Sequence, residues 1–318
     1  MIETALQEMV TPETAGDPMS EQKWVRSSLR RLSEQLEAKG HRVCPMTVRR
    51  LLEKMDYSLQ ANVKRLAGSQ HPDRNTQFEY LESQKQLFLS HGWPVISVDA
   101  KKKELIGNFK NAGRGWCQAA EVVNDHDFQL DALGKAVPYG IYDLNHNRGY
   151  VYVGQSADTA AFAVDVIAQW WSAFGRQDFA NAPGLLVLCD GGGSNGWRSR
   201  LWKAQLQEQL ADPMGLAVTV CHYPTGTSKW NPVEHRLFSP ISLNWAAKPL
   251  RTFATMLAYI RGTTTRTGLQ VAAFLVEQVY ERGLKVTDQV MHSLNLERHA
   301  TCPNWNYTIR PRAVTVCA

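Results

Sequence analysis

The sequence lacks the cysteine patterns that mark metal sites and disulfide frameworks. Its six cysteines are widely scattered and form no C-x-x-C pair, so neither a zinc site nor a disulfide network is predicted. No uninterrupted apolar stretch approaches the roughly 18–20 residues of a membrane-spanning helix. The N-terminal segment is acidic and lacks the basic and then apolar order of a secretory signal. These absences predict a cytoplasmic protein with no membrane partner.

The sequence also lacks a complete nucleotide-binding motif. The stretch LLVLCDGGGSNGW sets Gly191, Gly193 and Gly196 in a G-x-G-x-x-G pattern after an apolar run. A dinucleotide site needs an acid about 20 residues further on, at the end of the next strand. The run VTVCHYP offers no acid there, and no G-K-[ST] sequence makes a Walker loop. Two roles remain open for Asp190: it braces the glycine loop, or it binds a metal ion at the end of a strand.

A basic segment stands out in a chain whose net charge is only +5. Residues 1–20 carry four acids and no Lys or Arg, whereas residues 21–66 hold eleven Lys and Arg against five acids. Apolar residues recur in this segment at three- and four-residue steps, which predicts two helices. The second helix has Arg49, Arg50 and Lys54 on its polar face. Two short helices joined by a brief turn are typical of a helix-turn-helix, although a solvated helical surface has the same charge pattern.

From residue 93 the pattern changes to β-strands. Three strand-like runs are separated by gaps too short for crossover helices, so these strands are predicted to be antiparallel. Helices and strands then alternate, which is typical of βαβ units. This order predicts an α/β fold, a ribonuclease H-like mixed sheet flanked by helices, preceded by a small all-α helix-turn-helix domain. The predicted parts are an acidic N-terminal segment (1–20), a helix-turn-helix region (21–66), a linker and helix (67–92), the ribonuclease H-like core (93–245) and a C-terminal helical extension (246–318).

Three acids are predicted to meet at one edge of this sheet. Asp99 ends the first strand and Asp190 ends the fourth, and these strands are neighbours in the predicted order. Glu234 lies in the first turn of a later helix, after Asn231 and Pro232. Carboxylates this close together are tolerable mainly with cations between them, and ligand sets made only of oxygen favour Mg²⁺ or Mn²⁺. Two such ions about 3.5–4 Å apart are used in phosphoryl transfer.

Each acid also has a structural interpretation. The pattern Asn231-x-x-Glu234 is close to a capping box, and Asp99 could accept hydrogen bonds from the AKKK turn that follows it. Asp143, in GIYDLNHN, is a rival first acid, because it is predicted to end a hairpin strand. We favour Asp99, because the first strand is central in the predicted sheet.

Four segments together resemble a known family: VISVDAKKKELIGNFKNAGR, CDGGGSNGWRSRLWK, HYPTGTSKWNPVEHRLFS and WNYTIRP. They are similar to bacterial insertion-sequence DDE transposases of the ISAzo type, which are related to mariner elements, and the resemblance spans about residues 20–310. It implies that Asp99, Asp190 and Glu234 form the catalytic, metal-binding triad. It also implies DNA partners, namely terminal inverted repeats and target DNA, and a homo-oligomer assembled on DNA.

Two functions fit these observations. The first is a transposase that uses two Mg²⁺ or Mn²⁺ ions for DNA strand cleavage and strand transfer. The alternative is a DNA-binding protein, or a decayed or truncated transposase remnant, that acts only by binding DNA. The side chains expected to contact DNA are Arg49, Arg50 and Lys54 in the helix-turn-helix and Lys101, Lys229 and Arg236 near the acids.

Overall fold

The computed structural model describes residues 2–16, 23–25, 27–58, 71–115 and 117–313. The chain divides into two units, Met1–Ala67 and Gly68–Ala318. Parts of the predicted N-terminal segment, helix-turn-helix region and linker fall on residues 17–22, 59–66 and 67–70, which lie outside the described residues. No helix in the described part of the chain is long and apolar enough to cross a membrane.

Three helices build the core of the first unit. They are α1 (Ile2–Glu13), α2 (Leu29–Ala38) and α3 (Pro45–Lys54), and two short strands, β1 (Thr14–Gly16) and β2 (Lys23–Val25), pair antiparallel. Leu32, Leu36 and Val48, from the two predicted helices, are buried together with Leu6 and Val10 of α1. The acidic segment therefore contains a helix that was not predicted, although Leu6 and Val10 stand at helical i, i+4 spacing.

Helix α3 presents the predicted basic face. Arg49, Arg50 and Lys54 are all exposed. Arg49 Nε pairs with Glu53 at 2.7 Å, and Lys54 Nζ pairs with Glu3 at 2.8 Å. Exposed ion pairs of this kind contribute little to stability, so Arg49 and Lys54 can exchange their partners, and all three cations stay in contact with solvent.

A mixed sheet forms the centre of the second unit. Its spatial strand order is β10-β11-β8-β7-β3-β5-β6-β9, and β4 pairs with β5, where the strands are β3 (Val95–Ala100), β4 (Glu104–Ile106), β5 (Gly134–Asp143), β6 (Arg148–Gly154), β7 (Gly184–Cys189), β8 (Ala217–His222), β9 (Gln270–Val276), β10 (Leu296–Arg298) and β11 (Asn306–Ile309). β3, β5 and β6 are antiparallel neighbours, whereas β7 is parallel to β3 and β8 is parallel to β7. Three antiparallel strands followed by two parallel ones are the predicted ribonuclease H-like arrangement, and the fold prediction is confirmed.

Helices cover both faces of this sheet. They are α4 (Arg74–Ser90), α5 (Ala160–Trp170), α6 (Arg176–Asp178), α7 (Arg200–Gln205), α8 (Asp212–Met214), α9 (Ser239–Asn244), α10 (Phe253–Arg261) and α11 (Asp288–His292), with π-helical turns at Trp171–Gly175, Leu206–Ala211 and Glu234–Phe238. Phe162 of α5 and Trp202 of α7 pack on the face that Val98 occupies. Leu81 of α4 and Phe238 pack on the other face. β3 and β7 are buried on both sides, which accounts for their nearly continuous apolar sequences.

The C-terminal region differs from the predicted helical extension. β9 extends the sheet beside β6, and β11 and β10 extend the other edge beside β8. Helices α10 and α11 alternate with these strands. The apolar run QVAAFLV of β9 is short enough to fit a helix or a strand, and its pairing with β6 decides between them.

Two glycines allow the segment after β8 to lie close against the sheet. A Cβ atom at Gly140 of β5 would collide with the ring of Phe238, and one at Gly149 of β6 would collide with Leu237. Both partners belong to the π-helical turn that begins at Glu234. The distance between this turn and the sheet is therefore set by the absence of side chains at two strand positions.

Gly140→Ala should push this turn away from β5 and lower the free energy of unfolding by about 1–3 kcal/mol, the usual effect of an extra methyl group in a packed core. Gly115→Ala is the matched control, because a Cβ atom there would meet nothing within 4 Å. Denaturant unfolding compares the two variants. Equal stabilities would contradict the close-packing interpretation.

Candidate active site

Two strand ends bring Asp99 and Asp190 together. β3 and β7 pair in parallel with Val98 opposite Cys189, so the two acids follow at the same level of the sheet. Neighbouring strands lie about 4.8 Å apart, and both acids are half-buried. Asp99 accepts one backbone N–H at 2.7 Å and Asp190 accepts one at 3.4 Å. Among the described residues, most of the acceptor positions of these carboxylates remain unused.

Glu234 reaches the same edge through a hydrogen-bonded anchor on β3. Asn231 Nδ2 donates to the Val98 carbonyl at 3.2 Å, and the Val233 N–H donates to Ser97 Oγ at 2.9 Å. The Ser97 hydroxyl in turn donates to Asn231 Oδ1. Ser97 and Asn231 are completely buried, where each unmade hydrogen bond costs about 1–3 kcal/mol. The start of the Glu234 helix is therefore fixed to β3.

This anchor contradicts the capping-box interpretation of Glu234. In a capping box the first side chain accepts a helix N–H, but the Asn231 side chain is bonded to β3. Ser97 performs the capping instead by accepting the Val233 N–H. The charge of Glu234 lies close enough to Asp99 to raise the pKa of that carboxyl. The structure thus brings together the three acids that the sequence singled out.

The electrostatics of this edge disfavour full ionisation. Burial, followed by the charges of Asp190 and Glu234, raises the pKa of Asp99 to about 8. Burial also raises the pKa of Asp190, and the charges of Glu234 and Asp158 add to this effect. Asp158 Oδ1 is buried and has no hydrogen-bond partner among the described residues. A cation at this edge would relieve the repulsion between these carboxylates.

The rival acid Asp143 lies towards the opposite end of β3. It pairs with Ile96, whereas Asp99 pairs with Gly140. The Asp143 carboxylate is buried and accepts two backbone N–H groups of the following hairpin turn. Asp143 therefore closes the turn between β5 and β6, and this geometry agrees with the choice of Asp99 as the first acid.

Asp143 also belongs to a cluster separate from the three acids. Its Oδ2 lies 2.7 Å from His146 Nδ1, and the carboxylate of Asp178 comes close enough that the three could share a metal ion. Asp178 is paired with Arg148 at 2.9 Å. These groups already satisfy one another through hydrogen bonds and an ion pair.

The glycine loop after Asp190 is folded inward and does not form a phosphate cradle. Its 3₁₀ turn, Gly193–Asn195, buries Asn195 completely, and Asn195 Oδ1 accepts the Tyr139 hydroxyl at 2.6 Å. The first turn of α7 is capped by the Ser199 hydroxyl. The helix N–H groups that would hold a phosphate are therefore set back from the loop, and the dinucleotide alternative is not supported.

Lysines border a cavity of about 630 Å³ that begins at Ala100, next to Asp99. Lys101 has a largely buried side chain, pairs with Glu104 at 2.9 Å and lies over the ring of Trp245. It is less free to meet a ligand than the sequence suggested. Other lysines that line the cavity are exposed and have no ion-pair partner in the described part of the chain: Lys102, Lys103, Lys110 and Lys135.

The other two cations predicted near the acids are exposed. Lys229 lies over the ring of Trp230, which is itself 54% exposed. Arg236 lies beside the Tyr142 hydroxyl, on the side of the turn that faces β5. Both cations flank the helix start that carries Glu234.

His222 is a buried residue of this site that was not singled out from the sequence. Its Nδ1 lies 2.9 Å from the Asp190 carbonyl oxygen, and its Nε2 lies 3.2 Å from the Tyr307 hydroxyl. Burial lowers the pKa of His222 to about 4, so the imidazole is neutral at pH 7. The sequence did carry a signal for this residue, namely a histidine at the end of an apolar strand. A polar ring buried there needs hydrogen-bond partners.

Comparison with known proteins identifies similar sequences and folds. The family model described as the Rhodopirellula transposase DDE domain matches residues 5–311. The structure of the mariner Mos1 paired end complex with Mg is 16% identical, with a TM-score of 0.47, over 81% of this chain and 69% of that chain. The Mos1 mariner paired end complex with Mn is 15% identical, with a TM-score of 0.46, over the same shares. No curated protein sequence matches this chain.

The raised pKa of Asp99 predicts that stability depends on pH in the metal-free protein. The folded state holds this proton up to about pH 8, whereas an ordinary Asp releases it near 3.8. The folded state binds more protons between these values, so the free energy of unfolding should fall as the pH rises from about 4 to about 8. Asp99→Asn should remove most of this slope, and Mg²⁺ should flatten it in the wild type.

Thermal unfolding over this pH range measures the slope. Asp125→Asn is the control, because that side chain is 93% exposed. Equal slopes in the wild type and in Asp99→Asn would contradict the electrostatic interpretation.

Proposed function

This chain belongs to the transposase family described as the Rhodopirellula transposase DDE domain, and we propose that Asp99, Asp190 and Glu234 are its catalytic acids for DNA strand cleavage and strand transfer. The observation that carries the proposal is the meeting of these three carboxylates at one edge of the sheet. They come from two paired strands and an anchored helix, and the pKa values of Asp99 and Asp190 are raised. Clusters of carboxylates whose pKa values are shifted in this way are typical of functional sites.

We propose Mg²⁺ or Mn²⁺ as the cofactor, with two ions bound. The donors are carboxylate oxygens only, which these hard cations prefer. Asp158 Oδ1, which has no hydrogen-bond partner among the described residues, adds a further negative oxygen near Asp190. When bound, two such ions would help to activate the attacking oxygen and to stabilise the leaving oxygen at phosphorus.

The contribution of the protein itself is rigid positioning. Asp99 and Asp190 lie on paired central strands, and Glu234 is tied to β3 through Ser97 and Asn231. In-line displacement at phosphorus depends mainly on positioning and charge stabilisation, and a misplacement of about 1 Å can cost roughly 100-fold in rate. Strands and an anchored helix hold such a geometry better than loops do.

DNA is the proposed substrate, held by its phosphates beside the acids. The exposed lysines of the 630 Å³ cavity provide cations next to Asp99 that have no ion-pair partner in the part of the chain that the structure describes. Lys229 and Arg236 would extend these contacts along the Glu234 helix. Lys101 is proposed to shape the cavity, and it would contact DNA only after its ion pair with Glu104 breaks. Phosphate contacts of this kind bind DNA without reading its sequence.

The helix-turn-helix region, residues 21–66, is proposed to bind the terminal inverted repeats of an insertion sequence. Arg49, Arg50 and Lys54 form an exposed cationic face on its second helix, the helix that enters the major groove in this motif. Two transposon ends and a target must be held together for strand transfer, so we propose a homo-oligomer assembled on DNA.

Asp190→Asn and Glu234→Gln should each lower metal-dependent cleavage of supercoiled plasmid DNA by about 100-fold or more, because each removes a charge that a divalent ion needs. Glu234→Gln should leave the fold intact, since the Ser97 and Asn231 anchor does not use the Glu234 carboxylate. Asp125→Asn is the control. Near-wild-type cleavage by a folded variant would remove that acid from the site. DNA binding by the wild type without any cleavage would favour the alternative of a protein that only binds DNA.

Replacement of Arg49, Arg50 and Lys54 by Gln should weaken DNA binding and flatten its salt dependence. The slope of log K against log salt should decrease by about 0.9 for each phosphate that the variant no longer neutralises. Replacement of Arg282 and Lys285, two exposed cations of the second unit, serves as the control. Unchanged affinity and slope in the triple variant would leave α3 as part of the scaffold only.

A further inference from the structure

A chain of hydrogen bonds leads through the buried interior to the backbone of Asp190. Trp202 Nε1 lies 2.9 Å from Tyr307 Oη, which lies 3.2 Å from His222 Nε2. His222 Nδ1 lies 2.9 Å from the Asp190 carbonyl oxygen. Trp202, Tyr307 and His222 are completely buried. They come from α7, β11 and β8, so three distant parts of the sequence meet at one carbonyl group.

The chemistry of its two ends sets the direction of every hydrogen bond in this chain. The Trp202 indole N–H can only donate, and a backbone carbonyl can only accept. Tyr307 therefore accepts from Trp202 and has its own hydrogen left to donate to His222 Nε2. A neutral imidazole then carries its single hydrogen on Nδ1, which donates to the Asp190 carbonyl. The other tautomer would set a nitrogen lone pair against the carbonyl oxygen.

The bond to Asp190 holds the last peptide before the glycine loop. The β7–β8 ladder ends with Cys189 opposite His222, and the Tyr223 N–H donates to the Cys189 carbonyl at 2.8 Å. The Asp190 carbonyl lies one residue further on, beyond the ladder, and Gly191 follows it. Glycine restricts the backbone less than any other residue. The His222 side chain therefore donates to the Asp190 carbonyl in the place where, within the ladder, a backbone N–H of the neighbouring strand would donate.

Cys189 does not compete for this hydrogen bond. Its Sγ lies 3.3 Å from His222 Nδ1, but a thiol sulfur is a weak acceptor. The thiol S–H is likewise a weak donor, so it does not replace the Asp190 carbonyl as the partner of Nδ1. The stronger acceptor near Nδ1 is the Asp190 carbonyl.

We propose that His222 is a positioning residue for Asp190, and that Tyr307 and Trp202 fix the tautomer that allows it to act. The Nδ1–H fixes the Asp190 peptide and thereby the direction in which its carboxylate points beside Asp99. The inference rests on the proposed catalytic role of Asp190. Loss of such a supporting group typically lowers metal affinity or activity by about 10–100-fold, and it should leave DNA affinity unchanged.

Two substitutions of His222 separate positioning from general support of the core. Asn can present an amide N–H near the location of Nδ1, whereas Gln extends its amide towards the location of Nε2. We expect His222→Gln to bind Mn²⁺ about 10–100-fold more weakly by calorimetry in the absence of DNA, with a similar loss of cleavage. His222→Asn should lose clearly less of both. Equal Mn²⁺ affinity and equal cleavage in the two folded variants would overturn the proposal.

The tautomer can be measured directly on the unmodified protein. His222 is the one histidine of the described residues that is completely buried, so its ring N–H should be the most protected from exchange. Nuclear magnetic resonance of ¹⁵N-histidine-labelled protein should show this ring protonated on Nδ1. Tyr307→Phe, which removes the donor to Nε2, should weaken that preference. A protected ring protonated on Nε2 in the wild type would overturn the proposal whether or not the His222 variants fold.

Asp190→Asn distinguishes this inference from the proposed function. If that variant keeps wild-type Mn²⁺ affinity and cleavage, the proposed catalytic role of Asp190 fails. If Asp190→Asn loses both properties while a folded His222→Gln variant loses neither, only the positioning role of His222 fails.

Discussion

The parallel pairing of β3 with β7 is the interaction on which the rest of the site depends. With Val98 opposite Cys189, each strand continues into an acid, and two half-buried carboxylates stand side by side. Their repulsion and burial raise the pKa values of Asp99 and Asp190. Apolar helices on both faces stabilise the pairing, because they bury both strands. The hydrophobic core therefore offsets the cost of gathering charge at one edge.

The third acid is held by a different means. Glu234 stands on a helix that is fixed to β3 by the buried side chains of Ser97 and Asn231. Buried polar groups are costly unless every partner is present, so this anchor tolerates few alternative arrangements. Gly140 allows the helix to approach the sheet closely. A strand serine, a buried amide and a missing side chain together set the position of one carboxylate.

Each of the two units carries features that suit the proposed DNA substrate. The first has an exposed cationic helix face, which suits binding to a polyanion. The second joins an acidic edge to a lysine-lined cavity that begins next to Asp99. For this member of a transposase family, we propose that the acids attract divalent cations and that the neighbouring lysines attract phosphates. The acids and the lysines lie within a few residues of one another. The backbone at positions such as Asp190 must therefore be fixed, so that each charge stays in its place.

For residues 93–245 the sequence by itself determined the order of strands and helices, and with it the core fold and the three acids that meet at one edge. The length of a connection shows whether a crossover helix fits between two strands, and an apolar run shows which segment is buried. The sequence did not reveal α1 or β9, since short apolar runs fit more than one element. Only the tertiary structure decided that Asp143 closes a hairpin turn, that Asn231 bonds to β3 and that His222 meets the Asp190 carbonyl. Each of these depends on strand register or on contacts between distant residues, which no local pattern records.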